Sequence, residues 1–106
     1  MDMKKIYRSD LMKKLGNFKK VENLYSPRTG NPVPNQFELT FENGYVFQSY
    51  DSLIAVNIGG QVYLSSLHDY SKTTSKYCNE WVGCNTAQRR ELLMEGDYIL
   101  IVEDYK

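Results

Sequence analysis

The segment 69–77 holds the densest set of side chains that could bind a partner. It contains six hydroxyl groups and two lysines, Lys72 and Lys76, spaced i, i+4. Hydroxyls and lysines suit contacts to a phosphate backbone, and Tyr70 and Tyr77 are available to stack on bases. The same side chains suit a hydrated protein–protein surface, where tyrosine contributes area at low entropic cost. A third interpretation is that serine and threonine fill a weak helix that tertiary packing holds.

The single histidine, His68, stands beside Asp69. General acid–base catalysis needs such a group oriented in a pocket, but neighbours in a strand point to opposite faces of a sheet. Ser65, Ser66 and Ser71 lie close by in the sequence, yet none has the flanking glycines of a nucleophile elbow. We therefore expect His68 to be a surface residue at a strand-to-helix junction, and we expect the protein not to be an enzyme.

Metal and cofactor sites have little support in the sequence. Cys78 and Cys84 are the only cysteines, and five residues separate them. A structural zinc site needs a full tetrahedral ligand set and more closely spaced cysteine pairs. Gly59-Gly60 leads into a predicted strand rather than a helix, so it predicts a turn and not a phosphate cradle. The sequence thus predicts two reduced thiols, no metal and no cofactor.

Charge is distributed unevenly along a chain whose net charge is zero. The first twenty residues carry seven basic and two acidic side chains, a net charge of +5. Such a segment is typical of a contact to nucleic acid or to an acidic protein surface. The alternative is a solvated amphipathic helix whose lysines keep it soluble. The candidate nucleic-acid contacts are Lys4, Lys5, Arg8, Lys13 and Lys14.

The elements that must position these residues begin with a basic N-terminal helix or arm over residues 1–16. Ser9-Asp10 can cap this helix, which leaves a tail before it, and Gly16 can end it. Residues 17–106 are predicted to form a single domain. Its first part is a weakly alternating strand up to Tyr25, followed by a stiff loop, Ser26–Asn35, that contains all three prolines and presents Arg28.

Four strands follow as a predicted antiparallel meander. Apolar and polar residues alternate along Gln36–Glu42, and Asn43-Gly44 predicts a type I′ hairpin turn. The remaining predicted strands are Tyr45–Tyr50, Leu53–Ile58 and Gln61–Ser66.

The C-terminal third changes to helical signals. Ser71 can cap a helix of about Lys72 to Val82, and Thr86 can cap a second over Ala87–Glu95. Asp97–Glu103 is a final apolar strand. Because strands and helices are segregated, the predicted fold is α+β: one domain with a four- to five-stranded, mainly antiparallel sheet, two C-terminal helices and a short N-terminal helix or arm.

The composition, 42% hydrophobic and 25% charged over 106 residues, is that of a small globular domain. No apolar run approaches the roughly 20 residues of a membrane span, and the start lacks the apolar core of a signal peptide. We expect a cytoplasmic protein without membrane contact. Nine tyrosines are many for this length, and an exposed excess on one face would mark a binding surface. The candidate partner-binding residues are Arg28, Tyr50, Tyr70, Lys72, Lys76 and Tyr77.

Four blocks of the sequence, 17–23, 25–37, 47–52 and 69–77, resemble a family of small uncharacterised proteins. That family is carried by phages, plasmids and other mobile elements of low-GC Gram-positive bacteria. The resemblance covers about residues 17–103 and leaves the N-terminal segment outside it. The family has no assigned activity, so no functional residue is carried over.

The resemblance implies that the protein is encoded on a mobile element. Small mobile-element proteins often act on host or rival machinery. We therefore expect a non-enzymatic protein that inhibits or modulates a macromolecular machine in the bacterial host cell. An anti-CRISPR inhibitor of a CRISPR effector nuclease, in contact with the protein or its guide RNA, is one example. The alternative is a nucleic-acid-binding accessory protein of a phage or plasmid. The oligomeric state is left open by the sequence.

Overall fold

The computed structural model describes residues 3–104, in which seven strands form one sheet and three helices cover its two faces. The strands are β1 (Lys4–Tyr7), β2 (Phe18–Tyr25), β3 (Pro32–Phe41), β4 (Tyr45–Ser49), β5 (Ser52–Ile58), β6 (Gln61–Leu64) and β7 (Ile99–Val102). The helices are α1 (Arg8–Leu15), α2 (Lys72–Val82) and α3 (Thr86–Glu95). The α+β class and the two C-terminal helices are confirmed.

The sheet is larger than predicted and is mixed rather than mainly antiparallel. Its order is β1-β7-β6-β5-β4-β3-β2. Strands β2 to β6 form an antiparallel meander, whereas β7 runs parallel to both β6 and β1. The helices α2 and α3 supply the crossover that parallel pairing requires. Strand β1 escaped prediction because two of its four residues are lysines, and its partner β7 lies at the far end of the chain.

Each face of the sheet has its own core. Alternation along the strands sends one set of side chains toward α1 and the other toward α2 and α3. The core under α1 contains Leu11, Leu15, Phe41, Val46, Leu53, Val56, Tyr63 and Ile101. The core under α2 and α3 contains Phe47, Ile54, Ala55, Val62, Leu64, Cys78 and Leu93.

The N-terminal segment is part of the folded domain from Lys4 onward. Leu11 and Leu15 of α1 are fully buried, and the helix begins at Arg8 instead of after a tail ending at Ser9. Tyr7, in the N-cap position, makes no side-chain capping hydrogen bond, and Ser9 instead donates from its backbone N–H to Asp104 Oδ1 at 3.2 Å. The C-terminal end of the described chain thereby caps the first helix.

The β3–β4 turn is not of the predicted type I′, because Asn43 and Gly44 both keep negative φ angles. The backbone N–H of Asn43 donates to Leu15 O at 3.0 Å, and that of Glu42 donates to Asn17 O at 2.9 Å. Gly44 is required by packing, since a Cβ there would lie 2.4 Å from Asn57 O. The α1–β2 connection, not the local turn preference, therefore sets this turn.

The proline-rich loop is shorter than predicted, since β3 begins at Pro32. Pairing of β3 with β4 starts only at Gln36, so Pro32 and Pro34 lie on an overhang bordered by β2 alone, where a missing backbone N–H is tolerated. The predicted bounds of α2 are confirmed. Helix α3 is capped by Asn85 rather than Thr86, in a capping box with Gln88.

Candidate functional site

Strand direction brings half of the large exposed apolar and aromatic side chains of the described residues to one end of the sheet. The pairings make β1, β2, β4, β6 and β7 all finish at this end. Three of these side chains end or directly follow such a strand, and two lie in the connection from β6 to α2; together the five are called the tyrosine rim. Its members, with their exposed fractions, are Tyr7 56%, Tyr25 59%, Tyr50 48%, Leu67 39% and Tyr70 52%.

Tyr50 occupies a backbone conformation that disfavours a bulky side chain. It has φ +57° in the two-residue turn between β4 and β5. Its backbone N–H donates to Asn35 O at 2.6 Å, and its carbonyl accepts from Gln48 Nε2 at 2.7 Å. Non-glycine residues held in the left-handed region cost free energy and concentrate at functional sites. The turn therefore fixes an exposed aromatic ring where glycine or asparagine would be easier to accommodate.

Helix α2 is attached to the same end of the sheet by hydroxyl groups. Ser49, the last residue of β4, lies with its Oγ 3.0 Å from Thr74 Oγ1. Ser71 caps the helix by accepting from the Thr74 N–H at 3.1 Å. Gln36 faces Ser49 across the strands and is fully buried, with no hydrogen-bond partner for its side-chain amide among residues 3–104. The contact between Ser49 and Thr74 places the first turn of α2 beside the Tyr50 turn.

A fully buried arginine, Arg89 of α3, supports the connection that carries Leu67 and Tyr70. Its acceptors come from α2, from α3 and its cap, and from the 65–71 connection. They are His68 Nδ1 at 3.0 Å, His68 O at 3.3 Å, Cys84 O at 2.9 Å, Ser75 Oγ at 3.3 Å, Thr86 Oγ1 at 3.0 Å and the Asn79 side chain. None of these acceptors, all within the described residues, is a carboxylate.

The prediction that His68 lies on the surface is wrong, because the side chain is 5% exposed. Burial lowers the pKa of His68 below its usual value, and the neighbouring Arg89 and Arg90 act in the same direction against the opposing effect of Asp69. Neutral His68 can accept the Arg89 Nε hydrogen bond, whereas the protonated ring could not. Burial, the largest single effect, would raise the pKa of Asp69, but the Arg90 hydrogen bond and the charges of neighbouring basic side chains together lower it. His68 therefore serves as a hydrogen-bond acceptor for the buried Arg89.

The predicted partner-binding residues are divided by the fold. Tyr50, Tyr70 and Lys72 lie at the rim end and are exposed, and Lys72 belongs to the first turn of α2. Arg28 is exposed in the turn that follows β2, also at this end. Lys76 lies one turn further along α2, with its Nζ 5.3 Å from the ring centroid of Tyr77.

Tyr77 itself contributes more to the core than to the surface. It is half-buried and packs against the apolar cluster beneath α2 and α3. Of the predicted partner-binding residues, it is therefore the one that is half-buried rather than exposed.

The five predicted nucleic-acid contacts lie on two consecutive elements, β1 and α1. Lys4 and Lys5 are exposed on β1, and Arg8 at the rim end pairs with Glu103 at 3.2 Å. Lys13 and Lys14 are exposed in the last turn of α1, which leads to the opposite end of the sheet. The basic segment is thus spread along a strand and a helix that run in opposite directions.

Two cavities lie at the rim end, on either side of the end of β7. The larger, about 460 Å³, is lined by Lys5, Ile6, Tyr7, Asp10 and Val102. The second, about 370 Å³, is lined by Ser65, Ser66, Leu67, Leu100, Ile101, Val102 and Glu103. They give the rim concave surface beside its exposed side chains.

Sequence reasoning missed Tyr7, Tyr25 and Leu67, whose placement at one end of the sheet depends on strand directions. It also missed Arg89, for which a signal existed: Arg89 stands four residues before the inward-facing Leu93, on the same helical face. Cys78 is buried and Cys84 half-buried, and both are free thiols. Burial raises the pKa of Cys78 to about 11.

In the described residues, no cluster of three or more His, Cys, Asp or Glu side chains is placed to hold a metal ion. Nor does any helix in residues 3–104 have the length and apolar character needed to cross a membrane.

Comparison with known proteins gives one match. A family of unknown function, DUF8033, matches residues 13–96, from the last turn of α1 to the end of α3. The chain belongs to this family. The match covers the meander, α2 and α3, and with them Tyr25, Tyr50, Leu67 and Tyr70 of the rim. No curated protein and no solved structure matches the chain.

Proposed function

We propose that this protein is a non-enzymatic binding protein that uses the tyrosine rim to engage a protein component of a macromolecular machine, which it inhibits or modulates. The observation that carries the proposal is the concentration of exposed aromatic side chains at one end of the sheet. Tyrosine is enriched in the energetically dominant parts of protein interfaces, because it combines a large apolar area with a hydrogen-bonding group. Four of the nine tyrosines stand in this rim.

The backbone at Tyr50 supports the same proposal. A left-handed position that would suit glycine carries a tyrosine instead, and the ring is half exposed rather than packed in the core. Its aromatic side chain therefore does not serve the stability of the turn, and contact with a partner explains its presence.

Charge favours a protein partner over a nucleic acid. Proteins that bind single-stranded nucleic acid combine aromatic side chains with a continuous basic groove. Here the rim end mixes Arg28 and Lys72 with the carboxylates of Asp51 and Glu103. Mixed charges around exposed aromatics are typical of the polar border of a protein interface.

The resemblance to mobile-element proteins suggests which machines to test. We propose an action in the cytoplasm of a bacterial host, with a CRISPR effector nuclease and its guide RNA as the first candidate. No step of bond making or breaking is assigned to the protein.

The test is capture of partners from a Gram-positive lysate that contains such an effector, with and without nuclease treatment. The baits are the wild-type protein, a Tyr50→Ala/Tyr70→Ala double variant, and Tyr45→Ala as a matched control. Tyr45 is the first residue of β4 and Tyr50 directly follows that strand, so the two lie at opposite ends of the sheet, and they are 49% and 48% exposed. We expect a protein that resists nuclease treatment, binds wild type and Tyr45→Ala, and is lost from the double variant.

Other results would contradict the proposal. Recovery of nucleic acid alone, abolished by nuclease, would favour the accessory nucleic-acid-binding function. A protein retained equally by all three baits would exclude the rim as its contact surface. Lys72→Glu offers a second check. Because Lys72 is exposed, the substitution should weaken capture without changing the thermal midpoint of the protein.

A further inference from the structure

Strand β2 leaves one long edge of the sheet without a neighbour among residues 3–104. It pairs with β3 on one side, and over its eight residues Phe18 and Val21 are 53% and 54% exposed. Irregularities in the pairing fall between Phe18 and Lys20 and between Asn23 and Tyr25. The stretch from Lys20 to Asn23 is therefore regular strand, able to continue the hydrogen-bonding ladder.

The pairing of this stretch with β3 brings two like charges together. Glu22 lies directly opposite Glu38, and like charges in facing positions destabilise a strand pair. Lys20 reaches Glu22 from the same strand, with its Nζ 3.1 Å from Glu22 Oε1, and the two side chains are 62% and 54% exposed. Glu22 would therefore gain from a second cation on its open side.

We infer that β2 pairs antiparallel with β2 of a second copy of this chain, with the two-fold axis at Val21. In that register Lys20 of each copy faces Glu22 of the other, so the two cross-strand ion pairs are identical by symmetry. The two Val21 side chains meet at the axis, and Lys19 faces the uncharged Asn23. The pairing would join two seven-stranded sheets into one and point the two tyrosine rims in opposite directions.

The occupant is a second copy because the edge is complementary to itself. The sequence Lys20-Val21-Glu22 places opposite charges symmetrically about one apolar residue, which an antiparallel two-fold exploits. The other free edge, β1, has the sequence Lys-Lys-Ile-Tyr and contains no carboxylate, so it cannot form such pairs with itself. A standard protein interface buries about 1,200 Å² or more, and the pairing of two short strands buries less than that. The dimer should therefore be weak and concentration-dependent.

Sedimentation equilibrium of the full chain over a range of concentrations tests the inference. We expect a monomer–dimer equilibrium that Lys20→Glu and Glu22→Lys each weaken roughly tenfold, because both symmetry-related pairs change from attraction to repulsion. An equimolar mixture of the two variants should restore association, since every facing pair is again of opposite charge. Lys19→Glu is the matched control: it changes the net charge as Lys20→Glu does, but faces Asn23 and should leave association within about twofold.

The mixture separates the inference from an effect within one chain, because mixing cannot restore the internal contact between Lys20 and Glu22. A chain that stays monomeric at every concentration would overturn the inference. So would a dimer that responds equally to Lys19→Glu, or one that mixing fails to restore. Protection of β2 amides only in the presence of a captured protein would assign the edge to that protein's strand and would equally overturn pairing between copies.

Discussion

At the end of the sheet opposite the tyrosine rim, the β3–β4 turn closes tightly on neighbouring segments, whereas the rim carries exposed aromatic side chains beside a buried polar network around Arg89. The β3–β4 turn donates two backbone hydrogen bonds to residues 15 and 17, and Gly44 closes against Asn57 O. At the rim, the 65–71 connection is held through the Arg89 side chain, and Tyr50 sits in a strained turn.

This difference separates the parts that maintain the fold from the parts available for binding. At the opposite end, close packing at Gly44 and hydrogen bonds to the α1–β2 connection hold the β3–β4 turn. At the rim, a few buried polar side chains hold the connections, and the exposed residues are left to vary without loss of the core. Substitutions at the two ends should therefore have different consequences, and four of them test this.

The largest effect is expected for Arg89→Ala. Removing the guanidinium leaves the buried His68 acceptor and the partly buried acceptors of Ser75 and Thr86 without their donor and opens a cavity, so the free energy of unfolding should fall by about 3–5 kcal/mol. Urea unfolding measures the loss. The adjacent Arg90→Ala is the control, since Arg90 is 65% exposed and its ion pair with Asp69 should matter by less than about 1 kcal/mol. Equal losses would show that Arg89 does not organise the rim.

Gly44→Ala tests the opposite end. The new Cβ would lie 2.4 Å from Asn57 O and 2.9 Å from Ile58 Cγ1, so the strands must separate, at a cost of about 2 kcal/mol. Gly59→Ala, at the same end, meets no described atom within 4 Å but has φ +57°, so it should cost about 1 kcal/mol through backbone strain alone. Chemical denaturation of both variants compares the costs. A smaller loss for Gly44→Ala would mean that close packing does not shape this turn.

Acid should destabilise the rim support through His68. Burial lowers the pKa of His68 in the folded protein, so below about pH 6.5 the unfolded chain binds more protons than the folded one. This contribution is complete above that pH and is lost as the pH falls, by up to about 1 kcal/mol per pH unit. Unfolding measured at about pH 7.5 and about 5.5 gives the difference. His68→Asn keeps an acceptor for Arg89 but does not titrate, so an unchanged pH dependence in this variant would contradict the assignment.

The smallest effect on stability, and the most informative in sign, is expected for Tyr50→Gly. Glycine relieves the left-handed strain, so the free energy of unfolding should stay constant or rise by up to about 1 kcal/mol, while partner binding is lost. Tyr45→Gly places glycine inside β4 at the other end, and should lower stability by about 1 kcal/mol with binding retained. Thermal unfolding and partner capture together give both readings. A clear loss of stability for Tyr50→Gly would show that the ring serves the fold.

Local signals predicted the elements whose ends are marked by their own residues. Ser71 and Gly83 bound α2, and the alternation after Gln36 gives the first strand of the meander. Strand β1 and the parallel pairing of β7 could not be found in this way, because they depend on contacts between the two ends of the chain.

The candidate site was predictable only in part, for the same reason. Tyr50, Tyr70 and Lys72 were selected from residue type and spacing, and the fold does place them at one end. Tyr7 and Tyr25 join them only because β1 and β2 run in the same direction as β4, which no local pattern encodes. The burial of His68 depends on Arg89, twenty-one residues away, and its position beside Asp69 gave no sign of it.

The measurement that tests the central claim most directly is the dissociation constant of the captured protein for three chains: wild type, Tyr50→Ala and Tyr45→Ala. The two substitutions remove the same side chain, at nearly the same exposure, from opposite ends of one strand. If the tyrosine rim is the binding surface, Tyr50→Ala should weaken binding at least about tenfold and Tyr45→Ala by less than about twofold. Equal weakening, or a larger effect of Tyr45→Ala, would contradict the account.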